Sequence, residues 1–162
     1  MSDAIDRSGG FHLYSTGYGF KFEPDMTRSG GHTIAIDAAP MMSGVGPDWR
    51  NRKTRVQMAI DELPGLGSFL FGYQNSFAVD FHGGVKKGLD LKRQKRVGYP
   101  YVIRVWSGSN VCAAGLTRSY FFMLQALTIQ AIRRNWRAVD GAGLMRMLEM
   151  YSECSDRNDV NE

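Results

Sequence analysis

Residues 100–137 read PYVIRVWSGSNVCAAGLTRSYFFMLQALTIQAIRRNWR, and this stretch decides the fold class. Its first seven residues, 100–106, are mostly β-branched or aromatic, which favours a strand. Thr117 is a good N-cap residue before a long apolar segment. The pattern therefore predicts a helix over 117–137 that is apolar on most faces and lies centrally in the fold, with 107–115 as a small-residue loop between strand and helix.

Upstream of this stretch, aromatic and aliphatic residues around a Ser-Thr-Gly turn predict a hairpin over 11–22, and further strands are predicted at 33–36 and 76–81. Asp48 predicts the start of a helix that Pro64 ends, and Asp140 predicts the cap of a last helix. The predicted order is three strands, a helix, two strands and two helices. Grouped strands favour an α+β fold with a mostly antiparallel sheet of about five strands and three helices packed on one side.

Length and composition indicate one globular domain. The chain has 162 residues, 43% hydrophobic and 12% aromatic, so we expect a single domain over 1–154 and a polar C-terminal tail over 155–162. The start has no secretory pattern, and the longest apolar run, 120–132, is shorter than the roughly 20 residues of a membrane span. Cys112 and Cys154 lack metal-type spacing and are predicted to be reduced thiols. These features predict a cytoplasmic protein.

Positive charge is concentrated in the middle of the chain. The net charge is +4, but residues 86–137 hold eleven Lys or Arg and one acid, Asp90. Such asymmetry points to an anionic partner, or to a solvated, lysine-rich segment over 85–97 that is predicted as a polar hairpin or a long loop. Cations at a helix start oppose the helix dipole and add to its attraction for phosphate. The predicted nucleic-acid-binding residues lie on that loop and at the predicted helix start: Lys86, Lys87, Lys92, Arg93, Lys95, Arg96, Arg50, Arg52, Lys53 and Arg55.

Aromatic residues and an arginine share the strand predicted over 100–106 and the residue just before it. Tyr99 and Tyr101 would lie on one face, with Arg104 and Trp106 on the other. One face must be core, and the other would be a stacking platform beside a positive groove.

Catalytic and metal-binding motifs are weak. The sequence has no complete glycine-rich phosphate loop, no Cys-x-x-Cys and no nucleophile elbow. His12 and His82 could meet if the first hairpin lies beside strand 76–81, and with Asp37 or Asp80 they would suit acid–base cleavage or a metal. Turn-edge histidines are also common without any such role. No cofactor or resident metal is expected, and an enzyme is not favoured.

Two short segments, Gly9-Gly10-Phe11 through Pro24 and Asp37-Ala38-Ala39, resemble the plasmid antirestriction family, which has a Gly-Gly-aromatic stretch followed by Asp-Ala-Ala. The resemblance is confined to residues 9–39. It implies a counter-defence role and assigns no site residue.

The charge pattern predicts a non-enzymatic binding protein whose basic surface engages nucleic acid or a nucleoprotein complex. A protein–protein role is the first alternative, such as a phage or plasmid counter-defence inhibitor or an assembly subunit, and its partner would be an acidic protein surface. Nine methionines and three tryptophans favour it, since Met and aromatic residues are enriched at interfaces. A small His-dependent nuclease or hydrolase is the second alternative.

Overall fold

The computed structural model describes residues 9–81 and 86–158, and the strands in these ranges form two antiparallel sheets. Sheet 1 has five strands, in which β1 to β4 follow chain order and β5 pairs with β3. Sheet 2 has four strands in the order β6-β7-β8-β9. The strand bounds are β1 Phe11–Tyr14, β2 Tyr18–Met26, β3 His32–Met42, β4 Gly46–Pro47, β5 Thr54–Gln57, β6 Ser76–Phe81, β7 Lys87–Arg93, β8 Tyr101–Ser107 and β9 Asn110–Leu116.

Three helices complete the fold. A 3₁₀ turn, Ile60–Glu62, leads into α1, Leu63–Leu70. The other two are α2, Arg118–Asn135, and α3, Gly141–Asn158. None of the helices within the described ranges is both long and apolar enough to cross a membrane.

The core lies between the inner faces of the sheets and the helices. The strand register places Phe22 opposite Ile36, and Ile36 opposite Val56. Since side chains alternate between the two faces of a sheet, these three buried residues lie on one apolar face formed by three strands of sheet 1. In sheet 2, Leu91 lies opposite Ile103 in the same way. The helix α2 packs mainly on β3 and α1, and α3 packs on α1.

These observations confirm the α+β class and the antiparallel pairing, with the strands divided between two sheets. The first hairpin, the caps Thr117 and Asp140, and the helix after Thr117 are also as predicted: Thr117 accepts a hydrogen bond from the Tyr120 amide, and Asp140 accepts one from Gly143. The predicted domain boundary at 154 stays a prediction, and α3 continues to Asn158.

Three segment predictions are wrong. No helix runs from Asp48 to 63, because residues 54–57 pair with β3 as β5. Pro64 stands in the first turn of α1, where its missing N–H costs nothing, so it begins a helix instead of ending one. The predicted loops also contain strands: 87–93 is β7, in the interior of sheet 2, and 110–116 is β9.

Candidate nucleic-acid interface

The connection between β7 and β8 is a braced, basic turn; we call residues 92–99 the basic turn. Lys92 and Arg93 end β7, and Lys95 and Arg96 follow in the turn itself. The Gln94 side chain donates to the carbonyl oxygens of Tyr99, at 2.7 Å, and Tyr101, at 3.3 Å. Its backbone amide donates to the Pro100 carbonyl at 2.9 Å. The turn therefore presents its cations from a defined backbone.

Tyr99 lies beside these cations with an exposed ring. The Arg96 guanidinium stands 5.3 Å from the centroid of the Tyr99 ring, within cation–π range. The ring rests on β9, since a Cβ added to Gly115 would lie 2.9 Å from Tyr99 Cβ. Only a glycine therefore fits at position 115, beneath Tyr99, and Tyr99 itself is 42% exposed.

A groove of about 520 Å³ runs between the basic turn and the β1–β2 turn, and we call it the tyrosine groove. One wall carries Tyr14, which is 47% exposed, and Thr16. The other wall carries Arg96 and Tyr99. Among the described residues, the groove is lined by hydroxyl groups, two exposed aromatic rings and one cation, and by no carboxylate.

A second groove, of about 530 Å³, lies on the other side of the turn; we call it the arginine groove. Arg93 and Arg118 line it together with Phe122 at the start of α2. Arg93 lies 5.8 Å from the centroid of Tyr101, whose ring stacks on the Phe121 ring at 3.6 Å. No carboxylate from the described part of the chain lines this groove either.

Five cations belong to the basic turn or line the arginine groove, and none of them forms a salt bridge within the described part of the chain. They are Lys92, Arg93, Lys95, Arg96 and Arg118. Like charges concentrated in one region repel one another unless an anion or solvent neutralises them. This end of the molecule is therefore suited to an extended anion.

The structure divides the basic loop predicted from the sequence. Lys86 and Lys87 lie at the start of β7, and Lys92 and Arg93 lie at its end, about 20 Å away at 3.4 Å per residue. The Lys87 ammonium donates to the Arg55 carbonyl at 3.0 Å, which joins the two sheets. The two halves of the loop thus belong to opposite ends of sheet 2.

The cations of the other predicted cluster, residues 50–55, differ in whether a carboxylate of the protein pairs with them. Arg50 and Arg52 are exposed on the connection before β5. The Lys53 ammonium lies 3.4 Å from an Asp37 carboxylate oxygen. Arg55 is bound by Glu23 at 2.7 Å, Asp25 at 2.9 Å and Asp37 at 3.1 Å. Its charge is therefore already neutralised inside the protein.

These ion pairs change the acid–base properties of their members. Burial alone would raise the pKa of Glu23 and of Asp25, but hydrogen bonds outweigh it, and both pKa values lie below the ordinary ones. For Glu23 the donors are Lys21 and Arg55. Burial lowers and carboxylate hydrogen bonds raise the pKa of Arg55, with a net rise, so this guanidinium stays charged.

The predicted strand platform is only partly assembled. Tyr99 reaches the tyrosine groove, whereas Tyr101 points inward onto Phe121. On the outer face of sheet 2, Arg104 forms an ion pair with the buried Asp90. Trp106 covers Gly88 on that same face. The platform at the basic turn thus consists of Tyr99 with Tyr14 from the other sheet.

The histidine pair is not assembled by strand pairing. The ring of His12 lies 5.9 Å from Tyr14 and 6.4 Å from Trp49, and His82 lies outside the described residues. The strands predicted to bring the two histidines together, β1 and β6, belong to different sheets. Within residues 9–81 and 86–158, no group of three His, Cys, Asp or Glu is placed to hold a metal ion.

Sequence reasoning missed three residues of the two grooves: Tyr14, Arg118 and Phe122. Arg118 had a usable signal, since a cation in the first turn of a helix opposes the helix dipole. Tyr14 and Phe122 had none, because strand and helix aromatics are normally core residues and their exposure is set by neighbours distant in sequence.

No family model matches the sequence, and no curated protein matches it. The likeness to the antirestriction family therefore stays a prediction. Solved structures do match the fold. One is the plant transcriptional regulator PBF-2, with a TM-score of 0.62 and 16% identity, covering 89% of this chain and 96% of that chain. The trypanosome MRP1/MRP2 proteins match with a TM-score of 0.55 and 13% identity, covering 78% of this chain and 84% of theirs. At such identities the likeness shows a shared fold.

Proposed function

We propose that this protein binds single-stranded nucleic acid at the basic turn, with the strand following the tyrosine and arginine grooves. The observation that carries the proposal is the Arg96–Tyr99 pair, a cation over an exposed ring in a groove whose described residues include no carboxylate. A backbone of phosphates and a series of flat bases need these two kinds of group side by side.

The cations and the rings have separate roles in this proposal. Lys92, Lys95 and Arg96 neutralise phosphates, which supplies affinity without reading sequence. Tyr99 and Tyr14 stack on bases, and a base is free to stack on a side chain only when it is unpaired. The combination therefore favours single strands over duplexes.

The fold is compatible with this role, since the structurally similar PBF-2 is a plant transcriptional regulator. Sequence identity is too low for any residue to be carried over. The proposal therefore rests on the groups at the two grooves.

The first experiment is fluorescence anisotropy with a labelled oligothymidylate, titrated at salt concentrations from about 50 to 300 mM. The triple variant K92A/K95A/R96A removes three cations of the basic turn. If each contacts one phosphate, the slope of log K against log salt falls by about 2, at roughly 0.7 per phosphate of a single strand.

The matched control removes three exposed arginines from the helical end of the molecule, as R134A/R137A/R146A. It changes the net charge equally and leaves the grooves intact. We expect its slope to equal that of the unmodified protein. Equal losses in the two triple variants would show a diffuse charge effect and would remove the basic turn as the site.

The stacking role is tested with Tyr99→Ala and Tyr99→Phe. Loss of one base–aromatic contact weakens binding by roughly tenfold, since such a contact contributes about 1–3 kcal/mol. Tyr99→Phe keeps the ring and is expected to bind normally. A Tyr99→Ala protein with unchanged affinity, or a wild-type protein that prefers duplex, would contradict the single-strand proposal.

An acidic protein surface is the second candidate partner, because it would meet the same five cations, which form no salt bridge with any described residue. An aromatic ring stacks on a nucleobase, whereas a carboxylate has no flat ring to stack on it. An acidic partner would therefore bind Tyr99→Ala normally while losing affinity for the triple cation variant, so the same proteins separate the two functions. The counter-defence role would be one form of this second candidate.

A further inference from the structure

The three helices enclose a cavity of about 270 Å³ at the far end of α2, distant in the chain from the basic turn. The apolar stripe of α3 forms one wall, because Leu144, Met147, Leu148 and Tyr151 repeat at helical spacing. Trp136 and Ile132 of α2 and Pro64 of α1 contribute to the remaining lining, so the cavity is almost wholly hydrophobic.

The apolar stripe of α3 is only partly covered by α1 and α2. Leu144 and Leu148 are buried, but Met147 is 54% exposed and Trp136 is also exposed at the mouth. Gly67 lets α3 approach α1 closely, since a Cβ there would lie 3.0 Å from Leu148 Cδ2. The helices are therefore close at the floor of the cavity and leave apolar surface open at its rim.

Among the residues that the structure describes, Arg133 is the one charged residue in the lining of this cavity. It is exposed, and no salt bridge of Arg133 is present among the described residues. Arg134 follows in the same last turn of α2 but does not line the cavity. Both arginines lie in the last turn of α2, where the helix dipole stabilises either of them equally. The dipole therefore does not explain why Arg133 lines the cavity.

We propose that this cavity binds a small amphipathic carboxylate, with the hydrocarbon part among the apolar side chains and the carboxylate on Arg133. An apolar lining with one oriented polar group is the usual composition of a small-molecule site. The volume is near the lower end of such sites, about 300 Å³, so the ligand is of the size of a medium-chain fatty acid or an aromatic acid. A planar guanidinium suits a carboxylate through two parallel hydrogen bonds.

The test is isothermal titration calorimetry of the full chain with decanoate, decanol and decylamine, all below their micelle concentrations. We expect decanoate to bind more tightly than decanol, and decylamine to bind most weakly. Arg133→Gln should weaken decanoate about two- to fivefold, the effect of one exposed ion pair, and leave decanol unchanged. Arg134→Gln is the matched control and should bind decanoate normally.

A second pair of variants tests the apolar wall. Met147→Glu places a carboxylate at the mouth and should reduce decanoate binding by more than tenfold. Met150 is similarly exposed, at 58%, and does not line the cavity, so Met150→Glu should have no effect. Both positions are exposed enough for folding to be preserved, and circular dichroism of each variant verifies it.

Three results would overturn the proposal. They are equal affinity for decanoate and decanol, equal effects of the Arg133 and Arg134 variants, and no detectable binding of decanoate. Light scattering adds a fourth: a wild-type dimer that Met147→Glu converts into a monomer would show that a second copy of the chain covers the cavity.

Discussion

Replacing Arg55 with Gln removes the cation that three carboxylates from two other strands share. Arg55 lies on β5, while Glu23 and Asp25 come from β2 and Asp37 from β3, so the guanidinium ties three strands of sheet 1 together. Gln has the polarity but neither the charge nor the reach of Arg. We expect the protein to fold and to be clearly less stable.

The magnitude follows from the number of contacts and their exposure. Hydrogen bonds to charged groups contribute about 1.5–3 kcal/mol each, but the Arg55 side chain is 37% exposed and solvent screens its interactions. About 1 kcal/mol for each of three partners gives a loss of about 3 kcal/mol. With a urea m-value of about 2 kcal/mol/M, the unfolding midpoint falls by about 1.5 M.

The decrease in the free energy of unfolding caused by Arg55→Gln depends on pH, and the carboxylates that bind Arg55 set the direction. The pKa values of Glu23 and Asp25 lie below 4.5 and 3.8, their ordinary values, in the folded protein. Their stabilising contribution is therefore present above those values and disappears as the pH falls through the lower, folded pKa values. The stability difference between wild type and Arg55→Gln should be largest near pH 7 and should narrow towards pH 3.

The assay is urea unfolding followed by far-UV circular dichroism near pH 7 and near pH 3. Arg50→Gln is the control, because this exposed arginine has no salt bridge among the described residues; its effect should stay within about 0.5 kcal/mol. A loss below about 1 kcal/mol for Arg55→Gln, or a loss that is the same at both pH values, would refute the assignment of the network as a stabilising one.

Three further predictions concern single positions elsewhere in the fold. Gly88→Ala should lower the free energy of unfolding by about 3 kcal/mol in a urea melt, because its Cβ would lie 2.3 Å from the Trp106 ring and overpacking of this kind is costly. Gly115→Ala should displace the exposed Tyr99 ring and weaken oligothymidylate binding about fivefold in the anisotropy assay, within the range of one stacking contact, while Gly141→Ala, where an added Cβ meets nothing within 4 Å, should leave binding unchanged. Thr117→Ala removes the cap of α2 and should cost about 1 kcal/mol in the same urea melt, with Thr117→Ser restoring most of it. A neutral result for Gly88→Ala, Gly115→Ala or Thr117→Ala would show that the contact named for that residue does not matter.

Local patterns in the sequence predicted the elements whose cause is local. The β1–β2 hairpin followed from alternation around a short turn, and α2 followed from a good N-cap before a long apolar run. The antiparallel α+β class followed from the grouping of these elements. The net excess of positive charge in residues 86–137 is likewise a property of the sequence alone.

Tertiary structure decided the features that depend on partners distant in the chain. Residues 54–57 are a strand because Val56 lies opposite Ile36 in sheet 1, and this pairing outweighs the helical signals around Asp48. Cations that are alike in the sequence differ in the fold: carboxylates 18 and 32 residues away neutralise Arg55, whereas Arg96 lies over the Tyr99 ring and forms no salt bridge among the described residues. Pairing between distant strands is not encoded in local periodicity, so the sequence predicted which charges are present, and only the fold decided which of them are available to a ligand.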